Sequence, residues 1–309
     1  MSLTGWGACK MKHLSRLAVT LALLVSASPA VADWRTETGV FRVGVVGSGA
    51  GDGSPEHHAP FRDAVSAAIG MPVEVLLLRD APSLIDAQTA GRIEYAVLSA
   101  LGFATAQETC ACLVPLAAPT AASGAFGVQS TLVVRPGEGD GRTALAGGPV
   151  GHGPTGSLTG DLAPMVSFRF GGKPLREAGL DLSVQPSFET ARDAFVAGDL
   201  VAFFAWDYAA PDGAPRPGGG LAATVVALGD GAAEITWRSG VVPFGPHAVR
   251  DDVPEEVRQA LTSMLVALDE ASPAAFDAIS PSLAGAFRPT APGDYDYAIE
   301  LVRSVSALR

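Results

Sequence analysis

From Asp33 onward the chain alternates short β-branched runs with segments of helical periodicity. Phe41 to Val46 reads as a strand and the glycine-rich stretch 47–54 as a loop. Behind Pro60, a residue tolerated in a first helical turn, Phe61, Val65, Ala68 and Ile69 recur at helical spacing. Val73 to Leu78 is a second strand, Ser83 to Ala90 a helix stopped at Gly91, and Ile93 to Leu98 a third strand before an apolar helix around Leu101 to Ala106. This rhythm implies parallel βαβ units and an α/β fold.

A second block repeats the pattern. Ser130 to Val134, Leu182 to Gln185 and Leu200 to Trp206 read as strands, with helices to about Phe170 and over Glu189 to Ala197. A glycine-rich approach, 147–153, leads to Thr155-Gly-Ser-Leu-Thr-Gly160. The stretch Pro211 to Gly220, dominated by proline and glycine, reads as a loop or linker. Ile235 to Ser239 is one more strand, and the C-terminal third is helical, with Val257, Leu261, Met264, Leu265 and Leu268 on one face and another helix over Tyr295 to Val305. The result is two α/β halves with a helical tail. Ligands of such open sheets sit beyond the carboxyl ends of strands, and the cleft between two lobes is the default pocket.

Composition narrows the partners. The 309 residues are 48% hydrophobic and 17% charged with a formal net charge of −11, a globular balance that argues against nucleic acid or an anionic membrane as the main partner. Lys10, Lys12, His13 and Arg16 precede an apolar run from Leu17 to Ala27, and Ala30-Val31-Ala32 supplies a small-x-small cleavage site. These are the marks of a secretory leader. The run is too short to span a bilayer. Cleavage after Ala32 is expected to release a soluble periplasmic protein of 277 residues with a net charge of −14.

Past the leader the cysteines are Cys110 and Cys112. On a strand, side chains two apart share a face, so a local disulfide is possible in an oxidising compartment; that, or two inert thiols, is preferred over a redox or metal role. His57, His58, His152 and His247 read as surface or hinge residues, and no metal site is expected. Ser157 with His152 could be nominated for hydrolysis, but the spacing supplies no third group and no oxyanion hole. The glycine-rich loop after the first strand lacks the Lys-Ser of a phosphate-binding P-loop.

The run Phe41-Arg-Val-Gly-Val-Val and the later Leu84-Ile-Asp-Ala-x-x-x-Gly-Arg-Ile-Glu-Tyr-Ala-Val-Leu98 resemble the opening lobe of the phosphate/phosphite/phosphonate-binding periplasmic proteins of ABC importers. Gly156-Ser-Leu-Thr-Gly-Asp-Leu-Ala-Pro164 is similar to that family's Ser-Thr-Ser-Gly segment. Phe188 to Asp199, Ala205-Trp-Asp-Tyr208 and Arg238 to Arg250 follow in the family's order. The resemblance implies a two-lobed type II periplasmic binding fold, each lobe a mixed sheet flanked by helices. Lobe one would be 33–128 plus 240–309 and lobe two 129–239, closing on a ligand about two crossing strands.

It also implies a non-enzymatic protein, expected as a monomer without cofactor, that hands a small anionic ligand to an ABC permease. A ligand-sensing module for a membrane receptor is the alternative, and an exported hydrolase a more distant one. The candidate ligand-binding residues are Ser157, Thr159, Gly160, Ser99, Ser130, Phe188, Trp206 and Asp207. Hydroxyls and free amides at a helix N-terminus suit a tetrahedral oxyanion, although Ser157 or Thr159 could equally serve as a helix cap. Four positions depart from the family. Its ligand-facing histidine falls on Phe188, an aspartate on Val201, a tyrosine on Ala81 and the middle threonine on Leu158. The cleft is therefore expected to disfavour phosphate and methylphosphonate and to prefer anions that carry an apolar group.

Overall fold

The computed structural model describes residues 29–47, 54, 56–137, 143–280, 283 and 285–307. The basic and apolar parts of the leader lie outside the described residues. The described chain begins with α1 (Pro29–Thr38), whose Trp34 ring meets Phe41 edge-on.

The first lobe then builds through β1 (Phe41–Val46), α2 (Ala59–Ile69), β2 (Val73–Leu78), α3 (Ala81–Thr89), β3 (Tyr95–Val97), α4 (Ala100–Cys110) and β4 (Leu113–Pro119). Local chemistry sets the boundaries. Gly70 ends α2 in the left-handed conformation at φ 67°, Asp80 caps α3 by accepting from the Ser83 amide, and Ser99 caps α4 by accepting from the Gly102 amide.

The chain crosses into the second lobe along β5 (Gly127–Val134). There follow β6 (Val150–His152), a π-helical turn (Leu158–Leu162) that runs into α5 (Ala163–Ser167), and the short hairpin β7 (Arg169–Phe170) with β8 (Lys173–Pro174). Next come β9 (Leu182–Val184), α6 (Phe188–Ala197), β10 (Ala202–Ala209), β11 (Pro215–Gly219), α7 (Gly220–Leu228) and β12 (Glu234–Arg238). The return passes through β13 (Val242–Pro243), antiparallel to the start of β5. The first lobe is completed by β14 (His247–Arg250), α8 (Glu255–Val266), α9 (Leu268–Ala271), α10 (Pro273–Ile279), β15 (Phe287–Pro289) and α11 (Asp296–Ala307).

Two mixed sheets result. The first has six strands in the order β15-β4-β14-β3-β1-β2, and the second has seven, in the order β12-β5-β10-β6-β9 with β11 on β10 and β13 on β5. Parallel pairing joins β2, β1 and β3 in one sheet and β10, β6 and β9 in the other; the remaining pairs are antiparallel. One face of the first sheet packs Phe41, Phe61, Tyr95, Val257 and Leu261. Leu84, Phe103, Leu113, Tyr295 and Leu301 form a second cluster, and Ala163, Leu158 and Val166 of the second lobe join it.

Several expectations need correction. Pro215–Gly219, read as loop, is an edge strand on β10, a position where proline costs no ladder hydrogen bond, and α7 follows directly. The helix expected to reach Phe170 ends at Ser167, because Phe168 is extended and Gly171 and Gly172, at φ 56° and 80°, turn the chain into a hairpin. Cys110 and Cys112 form a disulfide, but not on a strand: Cys110 ends α4 and Ala111 between them is left-handed at φ 50°. The histidines are not surface residues as a group, since His58, His152 and His247 are buried. His247 lies in the first core, with its Nδ1 2.5 Å from the Tyr95 hydroxyl.

Candidate functional site

The second lobe brings the carboxyl ends of parallel β6 and β9 beside the longer β10. From β6 the chain passes through Gly153-Pro-Thr-Gly156 to Ser157, which has extended backbone at the N-cap of the π-helical turn. Its carbonyl accepts from the amides of Asp161 and Leu162, yet its hydroxyl makes no capping bond. That hydroxyl is buried without a partner, so Ser157 is not a side-chain cap. The Asp161 carboxylate takes the amide of Gly156 instead, at 2.7 Å.

The turn is held against the strand by backbone contact. The Gly153 amide donates to the Gly160 carbonyl at 2.8 Å, and a Cβ on Gly160 would lie 2.8 Å from the Gly153 Cα and 2.9 Å from the Ser157 Oγ. Neither glycine has room for a side chain. From beneath, the Ser130 hydroxyl on β5 donates to the Thr159 carbonyl, and the Ser130 amide donates to the Ser239 Oγ at 2.9 Å.

A second helix start faces this turn. Ser187 caps α6 by accepting from the Thr190 amide, and Phe188 is the first helical residue. Between them lies a cavity of about 310 Å³. Pro154, Ser157, Thr159 and Gly160 form one wall, Pro186, Ser187, Phe188 and Ala191 the other, and Phe204, Ala205 and Trp206 of β10 the floor. Phe188 and Trp206 meet edge-on with centroids 6.5 Å apart. No lysine or arginine is among the lining residues. The chemistry is therefore that of hydroxyls and first-turn amides, which have no acceptor within their own helix, set against aromatic carbon. Two larger cavities, each of about 420 Å³, lie between α8 and β4 and across the lobe crossings; neither is fed by a helix N-terminus at the end of a parallel strand.

Of the residues nominated from sequence, Ser157, Thr159, Gly160, Phe188 and Trp206 come together here. Ser130 stands one layer behind, as a support for Thr159. Asp207 points to the opposite face of β10, toward the start of α7, where the Leu221 amide lies 3.5 Å from its carboxylate and burial pushes its pKa up. Ser99 remains in the first lobe as the exposed cap of α4. Pro186, Ser187, Ala191, Phe204 and Ala205 were not nominated. Their only sequence signal was proximity to Phe188 and Trp206.

The four departures separate as well. Phe188 lines the cavity, but Leu158 packs into the first lobe's apolar cluster, Val201 packs on Gly148, and Ala81 is exposed at the start of α3. The apolar character comes instead from Phe204, Trp206, Ala191 and Ala205. His152 Nδ1 and Ser157 Oγ are each without a hydrogen-bond partner, so the nucleophile–base bond a hydrolase would need is not formed between them. Among the described residues no group of three or more histidine, cysteine or acidic side chains could hold a metal ion.

Two mixed sheets, two crossings and a cavity at strand ends define a type II periplasmic binding fold. The family model for the periplasmic substrate-binding protein of phosphonate ABC transporters matches residues 44–295, and the chain belongs to that family. Among solved structures, XAC2383 from Xanthomonas citri bound to ATP superposes with a TM-score of 0.54 at 18% identity, covering 88% of this chain and 98% of that one. Transferrin 1 from Manduca sexta gives 0.54 at 12% identity over 87% of this chain and 47% of its own. PhnD1 from Prochlorococcus marinus in complex with methylphosphonate gives 0.49 at 14% identity over 87% and 98%. A search of curated proteins finds no match.

Proposed function

We propose that this chain carries a small ligand with an oxyanionic head and an apolar body to an ABC permease, holding the head at Ser157, Thr159 and the Gly160 amide and the body against Phe188, Phe204 and Trp206. One observation supports this most: Ser157, whose hydroxyl has no partner, lies with Thr159 and Gly160 in a helix first turn that lines the same cavity as Phe188, Phe204 and Trp206. An oxyanion would give that hydroxyl the acceptor it lacks, and the aromatic rings would gain from an apolar substituent. At about 310 Å³ the cavity is at the small end of ligand sites, which favours a compact molecule. The reading includes export with cleavage after Ala32, a monomeric protein, and lobes of 33–128 plus 240–309 and 129–239.

A thermal-shift panel tests it. Phenylphosphonate or benzylphosphonate is expected to raise the melting temperature more than methylphosphonate or phosphate, and saturation at a hundredfold excess over Kd corresponds to about 2.7 kcal/mol. Tight selective stabilisation by phosphate or methylphosphonate would overturn the preference for apolar groups. No response to any anion would overturn the anion-binding reading itself.

A further inference from the structure

The turn that lines the cavity faces two ways. Ser157, Thr159 and Gly160 border the cavity within the second lobe, while Leu158 between them packs with the first lobe's Leu84–Phe103–Tyr295 cluster. Ala163 and Val166, farther along the same helical run, belong to that cluster too. At the end of the run the Ser167 hydroxyl lies 2.7 Å from the hydroxyl of Tyr297 on α11, a hydrogen bond between the lobes. The Tyr297 ring in turn packs on Gly240, where a Cβ would lie 2.7 Å from the ring, and Gly240 belongs to the return crossing. One short stretch, 157–167, therefore touches the cavity, an apolar seam between the lobes and, through Tyr297, the crossing itself.

We propose that the apolar seam entered by Leu158 holds the two lobes together before ligand binds. In a hinged binder whose cleft is polar, the ligand supplies the contacts that close the lobes. Here apolar surface supplies them: Leu158, Ala163 and Val166 leave water by joining the first lobe, and separating the lobes would expose them again. The cavity is lined by second-lobe residues, so its ligand does not have to bridge the lobes.

The inference deepens the binding reading, but its test uses no ligand. Small-angle scattering and hydrogen exchange are compared on the exported chain, unfolded in denaturant and refolded to remove any bound molecule, and on Leu158→Ser, Leu158→Met and Val166→Ser. The unliganded native protein is expected to have a compact radius of gyration, with segments 156–162 and 296–303 both protected. Leu158→Ser and Val166→Ser are expected to enlarge the radius and lower protection in both segments, and Leu158→Met to restore both. The proposal is overturned if the native unliganded chain already has the enlarged radius, or if folded Leu158→Ser and Val166→Ser leave segment 296–303 unchanged. Failure of every anion in the thermal-shift panel would leave these outcomes intact, so the two readings fail separately.

Discussion

The hydroxyl of Ser130 on β5 donates to the carbonyl of Thr159 in the cavity turn at 2.5 Å, a bond that ties the central sheet of the second lobe to the residues proposed to meet the ligand. Ser130 is fully buried and touches no cavity space itself. Ser130→Ala leaves the Thr159 carbonyl without this donor, and loss of such a buried bond costs about 1–3 kcal/mol. The expected outcome is a lower melting temperature together with weaker anion binding, although the substituted side chain lies outside the cavity. Calorimetric titration of the folded variant checks the second effect independently of the first.

Ser157→Ala should behave in the opposite way toward stability. Its hydroxyl is buried and unpartnered, so removing it relieves a desolvated group and breaks no bond. The melting temperature is expected to hold or rise slightly, while affinity for the best anion of the panel falls by about 0.5–3 kcal/mol. Parallel melting and titration curves for native protein and variant check it; equal affinity would remove Ser157 from the site.

The pair Tyr95 and His247 sets a pH dependence. Burial holds the imidazole neutral and lowers its pKa to about 3, while the unfolded chain protonates near 6.5. The unfolded state therefore binds the extra proton between those values, and stability falls as pH drops through the window, by about 1.4 kcal/mol per pH unit from this group. Above 6.5 the contribution is flat. Urea unfolding of native protein and His247→Gln between pH 7.5 and 5, where most carboxylates remain ionised, should give a shallower slope for the variant.

Ala111 predicts a stabilising substitution. It is left-handed at φ 50° between two disulfide-bonded cysteines, a conformation that costs an L-residue roughly 1–2 kcal/mol and glycine little. Ala111→Gly is expected to raise the melting temperature under oxidising conditions. Because the bridged loop is so short, Cys110→Ser with Cys112→Ser should cost no more than about 2 kcal/mol. Intact mass before and after reduction in denaturant verifies the bond.

Local pattern made the first lobe's β1, α2, β2 and α3 readable: the strands are short β-branched and apolar runs, and the helices bury Phe61, Val65 and Ile69 or Leu84 and Ala87 at helical spacing, with Gly70 stopping α2 and Asp80 capping α3. The turn at Ser157 was readable because glycine and hydroxyl residues cluster there ahead of a helix. The cavity floor was not. β10 is apolar on both faces, so its sequence carries no alternation to say that Phe204 and Trp206 border open space while Phe203 does not. That depends on where β6 ends, which is a property of the neighbouring strand. The positions of Asp207 and Ser99 outside the cavity were not readable for a related reason: a polar residue near a strand's end can face a ligand or the start of a helix, and both face helix starts. The two-residue strands and the proline-bearing edge β11 gave no periodic signal at all.

The contact between Gly153 and Gly160 fixes which parts of this scaffold can be rewritten. The strand end and the helix start touch backbone to backbone, so a library aimed at new ligands gains nothing from varying either glycine, and a single methyl at one would push the turn away from the strand end. Diversity belongs at Pro186, Phe188, Ala191 and Trp206, on the opposite wall and floor, where side chains alone define the space. The shape of this cavity can thus drift along one side while the glycine-bearing side stays fixed.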